Sequence, residues 1–161
     1  RDTSVTGVQT CALPIWGYEY PDENVAFDSY MINDEDLQPG QPRLLTVDNE
    51  IVVPVNKNVK VMITAGDVLH AFALPAFGVK RDAIPGRINE TWFKAERTGT
   101  FYGQCSELCG IKHAFMPITV RVVTDDEYTE WLADAKVKFA KDPIEQKIEL
   151  AKTIKIREEI K

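Results

Sequence analysis

The chain has 161 residues, 44% of them hydrophobic and 9% aromatic, which suits one globular core with an appendage better than two full domains. Its net charge of −6 comes from 25 acids against 19 bases spread along the whole length, so it lacks the basic footprint that nucleic-acid binding needs, and that partner class is excluded. No stretch approaches the roughly 18 consecutive apolar residues of a membrane span, and the start lacks the basic flank and apolar run of a signal peptide; the sequence as written is expected to be soluble.

The leader reads as foreign. "VTGVQTCALPI", from Val5 to Ile15, can be back-translated into an in-frame sequencing-library adapter, so residues 1–15 are set aside from fold reasoning as a foreign tag would be. Cys11 then needs no function, and the natural chain is expected to extend upstream of Trp16. From there "WGYEY" alternates Trp16, Tyr18 and Tyr20 with the period of a strand that has one apolar face. The Pro-, Asp-, Asn- and Gly-rich segment 21–43 reads as a long loop with turns at Pro21 and at Pro39-Gly40. "LLTVDNEIVVPV" places a β-rich run on each side of Asp48-Asn49, and "NVKVMITA" alternates Val59, Val61 and Ile63 against Lys60, Met62 and Thr64. Further short runs lie in "HAFALPAFGVK", "RINETWFKAERTGTFYGQC" and "MPITVRVVT". Regular short strands punctuated by Gly and Pro predict an all-β antiparallel sandwich or barrel over 16–124. At Thr124 the period changes. Thr124 and Glu127 form a capping box, and Tyr128, Trp131, Leu132 and Ala135 recur at helical spacing, so a helix is predicted from Asp125, packed on the barrel through Trp131. Asp142-Pro143 resembles a second helix start, completing a helical extension over 125–161 that is read as a solvated or partner-binding segment.

The chemistry concentrates in "GQCSELCGIKHAFMP". Cys105, Cys109, His113 and Met116 follow the pattern C-x3-C-x3-H-x2-M, and three readings compete for it. A disulfide or redox pair leaves the histidine and methionine unexplained, and thiol redox motifs more often have two intervening residues. Zinc takes thiolate and imidazole but gains little from a thioether. Thiolate, imidazole and a weak thioether on a β-barrel loop are the ingredients of copper electron-transfer centres. A mononuclear blue-copper site needs one cysteine. Two thiolates can bridge two coppers, and a second imidazole is then required; the chain has two histidines, which makes His70 in "GDVLHAFALP" the natural partner.

From Trp16 to about Lys136, through "FDSYMI", "LLTVDNEIVVPV", "DVLHAFALPAFGVKRDAIPGRINETWF" and "YGQCSELCGIKHAFMPI", the sequence closely resembles the copper-binding domain of cytochrome c oxidase subunit 2 of the proteobacterial and mitochondrial type. The resemblance implies a cupredoxin-like Greek-key barrel carrying a dinuclear, mixed-valence copper centre, CuA, which accepts electrons from cytochrome c and passes them to haem in the catalytic subunit 1. It implies bridging by Cys105 and Cys109, terminal imidazoles from His70 and His113, and axial ligation by Met116 and by the Glu107 carbonyl. The Glu107 side chain would reach a magnesium ion shared with the catalytic subunit. Such a domain makes and breaks no substrate bond; it is a redox subunit of an oxidoreductase.

The resemblance also implies an acidic docking patch for cytochrome c, for which Glu19, Asp22, Asp28, Asp48 and Asp67 are the candidates. Trp16 matches the second tryptophan of the family's W-x-W stretch. The first, implied to receive the electron, would fall at Pro14, so this copy is expected to accept electrons poorly. Asp82 and Arg87 in "RDAIPGR" match a segment that faces the catalytic subunit. The implied location is the periplasmic face of the bacterial inner membrane, or the intermembrane-space face in mitochondria, with anchoring through N-terminal helices absent from this sequence. Rival readings are the CuA domain of a nitrous-oxide reductase, which usually has an aromatic residue where Glu107 stands, and a copper chaperone or thiol-disulfide assembly protein, expected on a thioredoxin-like α/β pattern.

Overall fold

The computed structural model describes residues 3–8 and 15–139. Two five-stranded sheets pack face to face. The first sheet takes β1 (Thr3–Val8), β2 (Trp16–Tyr20), β3 (Val25–Ser29), β5 (Asn58–Ile63) and β8 (Asn89–Lys94) in the order β3-β2-β1-β5-β8. The second takes β4 (Ile51–Pro54), β6 (His70–Leu74), β7 (Val79–Ala83), β9 (Gly99–Cys105) and β10 (Pro117–Val123) in the order β4-β10-β9-β6-β7. A helix, α1 (Asp125–Lys138), follows.

Alternation in the sequence sets the inner faces. In β2 the aromatic positions Trp16, Tyr18 and Tyr20 are buried and the residues between them half-buried; in β5 Val59, Val61 and Ile63 turn inward while Asn58 and Lys60 face out. Against them the second sheet sets Phe72, Leu74, Ile118, Val120 and Val122, closing one core. β10 is buried on both faces except at Arg121, so its sequence is a near-continuous apolar run.

The expected antiparallel sandwich is a mixed one. Most pairs are antiparallel, but β1 runs parallel to β5 and β4 parallel to β10. The predicted loop 21–43 contains a strand: Val25 and Phe27 point into the core opposite β2, a period-2 signal obscured by the surrounding Pro, Asp and Asn. Conversely, of the two β-rich runs beside Asp48-Asn49 only the second is a strand. Leu44 adopts φ 64°, and Val47 makes only an isolated bridge to Met31, so the Leu44–Val47 run bends where a strand was expected. Thr3–Val8, set aside in the sequence analysis, form β1 between β2 and β5.

The capping box closes at Thr124, whose hydroxyl accepts from the Glu127 amide at 3.3 Å while the Glu127 carboxylate accepts from the Thr124 amide at 2.8 Å. The helix packs as expected: Trp131 lies 5.2 Å from Tyr20 between ring centroids, and Ala135 is buried. Since Tyr20 ends β2 and Val123 ends β10, α1 covers one end of the sandwich. The other end is where β6 begins, β9 ends and β10 begins. The predicted second helix from Pro143 lies outside the described residues.

Candidate metal centre

That open end gathers the sulfur and imidazole donors. His70 is the first residue of β6 and Cys105 the last of β9; because Phe72 pairs with Cys105 across the two strands, the ring and the thiol meet at one edge. The chain then loops through Glu107, Cys109 and a single helical turn at His113–Phe115 before Met116 returns it to β10. The loop is pinned at its neck by the Cys105 amide, which donates to the Met116 carbonyl at 3.1 Å, and by the Ser106 amide, which donates to Ala71 O at 2.9 Å.

The donors gather around the two sulfurs. Cys105 Sγ and Cys109 Sγ are 3.8 Å apart, His70 Nδ1 is 3.8 Å from Cys105 Sγ, and His113 Nδ1 is 3.5 Å from Cys109 Sγ. Met116 Sδ sits 3.6 Å from Cys109 Sγ, and the Glu107 carbonyl oxygen 3.3 Å from Cys105 Sγ. A disulfide would need sulfurs about 2.05 Å apart. Two ligand atoms that share one tetrahedral ion at bond lengths of about 2.0–2.3 Å stand about 3.3–3.8 Å from each other, close to the spacing of these contacts. Donor atoms of His70, Cys105 and Cys109 lie within 4.8 Å of one another, so a His70 ring nitrogen flanks both sulfurs, and His113 Nδ1 brings a second imidazole against Cys109.

Asp67 sets the orientation of His70. Its Oδ1 is 3.0 Å from His70 Nε2, and both side chains are largely buried, at 13% and 3% exposure. A proton on Nε2 donated to this carboxylate leaves Nδ1 as the lone pair facing the sulfur, the arrangement by which carboxylates fix metal-binding imidazoles. Burial, followed by the neighbouring Cys105 sulfur, pushes the Cys109 thiol up to about 12. Without a cation Cys109 therefore holds its proton; a metal ion would reverse that balance. The donor set, soft sulfur with imidazole and thioether, fits copper.

The remaining sequence candidates divide by position. Asp22, Asp28 and Asp48 are exposed and Glu19 half-exposed, as a docking patch requires, although Asp48 is also engaged by the Tyr30 amide at 2.7 Å. Asp67 departs from that group, since its carboxylate is turned to His70 rather than to solvent. Trp16 is fully buried and so presents no docking surface; it lies beside the His70 ring. Pro14, the position implied for the electron-receiving tryptophan, lies outside the described residues. The Glu107 side chain, Asp82 and Arg87 are exposed. Sequence reasoning missed the Asp67–His70 contact, although the three-residue spacing between them was a signal for it.

Residues 7–123 match the sequence pattern of a known family, described as "Cytochrome C oxidase subunit II, periplasmic domain". The chain belongs to this family. A probable cytochrome c oxidase subunit 2 of Rickettsia felis is 58% identical over 119 residues, covering 73% of this chain and 38% of that protein. The subunit 2 of Cereibacter sphaeroides is 51% identical over 150 residues, covering 82% of this chain and 48% of that one. Among solved structures, the periplasmic domain of subunit II of cytochrome oxidase of Bradyrhizobium japonicum superposes with a TM-score of 0.75 at 60% identity, covering 86% of this chain and 94% of that chain. The chain thus corresponds to a subunit II periplasmic domain with a cupredoxin-like fold, and spans less than half the length of these curated relatives. No helix among the described residues is long and apolar enough to cross a membrane.

Proposed function

We propose that this domain is the electron-transfer portion of a haem-copper cytochrome c oxidase, holding a dinuclear CuA centre between His70, Cys105, Cys109, His113, Met116 and the Glu107 carbonyl. The observation that carries the reading is the donor count around one sulfur pair: two sulfurs 3.8 Å apart, an imidazole Nδ1 within 3.8 Å of each, and a thioether and a carbonyl oxygen at 3.6 and 3.3 Å. One tetrahedral ion takes four donors, whereas six gather here, enough for two ions that share the sulfurs. Bound there, such a centre supplies one-electron transfer with little change of geometry.

The residues of the chain do the rest. Asp67 holds the His70 tautomer, the two hydrogen bonds at the loop neck limit how far Cys105 and Met116 can move, and the packed sandwich behind them keeps water from the inner side of the cluster. Ligands held this rigidly have little to rearrange when charge arrives. Electrons would come from cytochrome c, attracted by Glu19, Asp22, Asp28 and Asp48, and leave toward haem in the catalytic subunit across the face bearing Asp82 and Arg87. The exposed Glu107 carboxylate would complete a magnesium site with ligands from that subunit. In the intact protein the domain would face the periplasm, or the intermembrane space of mitochondria, anchored by membrane helices.

That Val5–Ile15 can be back-translated into an in-frame adapter supports a foreign origin for residues 1–15. Thr3–Val8 are rich in Thr and Val, so they suit the β1 slot whatever their origin, and native residues would occupy the same slot. The test is copper loading of the chain, with the copper counted and the paramagnetic resonance recorded. Two coppers per chain, with hyperfine structure from one electron shared by both nuclei, are expected. A single copper with localised coupling, or uptake of zinc alone, would refute the dinuclear reading.

A further inference from the structure

All the donors belong to the second sheet or to its loop; the first sheet supplies none. It does supply Trp16, the first residue of β2, which is fully buried against the cluster. The indole touches it at two points. Its edge meets the His70 ring in a T-shaped contact, with centroids 6.3 Å apart and planes at 67°, and its Nε1–H donates to the Met116 carbonyl at 3.4 Å. That carbonyl also accepts the Cys105 amide at 3.1 Å, so one oxygen joins β2, the end of β9 and the residue that carries the thioether. Phe72, the cross-strand partner of Cys105, packs edge-on against the same indole at 5.5 Å.

We infer that Trp16 is a positioning residue for the metal centre, bracing the His70 ring and the Met116 backbone against the opposite sheet. The inference rests on the copper reading above. An indole N–H can only donate, and once buried it must keep an acceptor, so the hydrogen bond to Met116 fixes the loop as well as satisfying the ring. The edge-to-face contact limits rotation of the imidazole. Tyr18, two residues along the same strand and equally buried, sets its ring against Phe27 in the core, and so separates bracing from general core packing.

The experiment compares the 161-residue chain with Trp16→Phe and Tyr18→Phe, each loaded with copper(II) sulfate, by the thiolate-to-copper absorption and the rate of copper release to a chelator. Hydrogen exchange of the Cys105 amide is followed in the metal-free chains. Trp16→Phe is expected to shift the absorption, to release copper about tenfold faster, and to speed exchange at Cys105. Tyr18→Phe should match the parent in all three, even where its melting temperature differs. A Trp16→Phe spectrum and release rate equal to the parent's, or equal changes in Tyr18→Phe, would overturn the inference. Should the parent hold no copper pair, the function reading falls by itself and the exchange data decide: acceleration confined to Trp16→Phe upholds the brace, and none overturns it. Trp16→Tyr, which fills more of the indole volume, takes the place of the phenylalanine variant if that one does not fold.

Discussion

Gly103→Ala is the most searching test of the architecture under the metal centre. Gly103 lies two residues before Cys105 in β9, where β9 meets β6 through Ala73↔Gln104 and Phe72↔Cys105. A methyl group there would overlap the Ala73 carbonyl oxygen and stand 2.9 Å from Leu74 Cδ2 and 3.0 Å from the Ala73 carbonyl carbon. Two of these three neighbours are backbone, so no rotamer change relieves the clash and the strands must part. Losing about two inter-strand hydrogen bonds at about 1 kcal/mol each, with an overpacking cost of about 1–3 kcal/mol, gives about 3–5 kcal/mol. Stiffening of the unfolded chain offsets about 0.4–1 kcal/mol, leaving about 3 kcal/mol net. With a urea slope of about 2 kcal/mol/M, the denaturation midpoint should fall by about 1.5 M. Copper binding should weaken too, because Cys105 moves with its strand. A midpoint within about 0.5 M of the parent would show that β6 and β9 do not approach this closely, and the placement of His70 beside Cys105 would fall with it.

Removing the Asp67 carboxylate (Asp67→Ala) should lower copper affinity about 10–100-fold, with Asp67→Asn between the two, as measured by competition with a chelator; unchanged affinity would sever the link to His70. The Tyr18 hydroxyl is buried with no hydrogen-bond partner among the described residues, so Tyr18→Phe should raise stability by about 1 kcal/mol, seen as a melting temperature higher by about 2–4 °C. Burial holds both Tyr18 and Tyr20 well above the ordinary tyrosine range. Their neutral forms therefore contribute stability that is complete below about pH 10 and is lost as pH rises above it; in an alkaline absorbance titration these two should ionise only as the chain unfolds. Thr124→Ala, which opens the capping box, should cost about 1 kcal/mol in denaturant unfolding while leaving copper binding unchanged.

The legible parts of the sequence were those with a local period. Trp16, Tyr18 and Tyr20, the Val59–Ile63 alternation and the Thr124–Glu127 box each announce their element within a few residues. Val25 and Phe27 did not, since two apolar residues among prolines and acids are a weak period-2 signal, and the strand exists because β2 offers it a partner. Leu44–Val47 failed in the opposite sense: residues with strand propensity bend because Leu44 takes a positive φ and the segment is tied down by tertiary contacts, with Thr119 Oγ1 donating to Leu45 O at 2.7 Å. The sulfur-rich loop was legible because its donors crowd into twelve positions. Asp67 and Trp16 were harder to read. An acid near a histidine and an aromatic residue at a strand start have common explanations, and their roles depend on contacts across 3 residues in one case and 100 in the other.

His70 and Cys105 are 35 residues apart in sequence, and the structure joins them only through the pairing of β6 with β9. During synthesis the chain therefore emerges with an imidazole that has nothing to share, and the four remaining side-chain donors follow together. Until β9 has closed on β6, the His70 imidazole and the thiols belong to separate parts of a growing polymer, and a metal ion meeting the chain early would find the loop donors without His70. The order of events is thereby written into the topology: the barrel must be nearly complete before the site exists, which favours delivery of metal to a finished fold over capture by a nascent one.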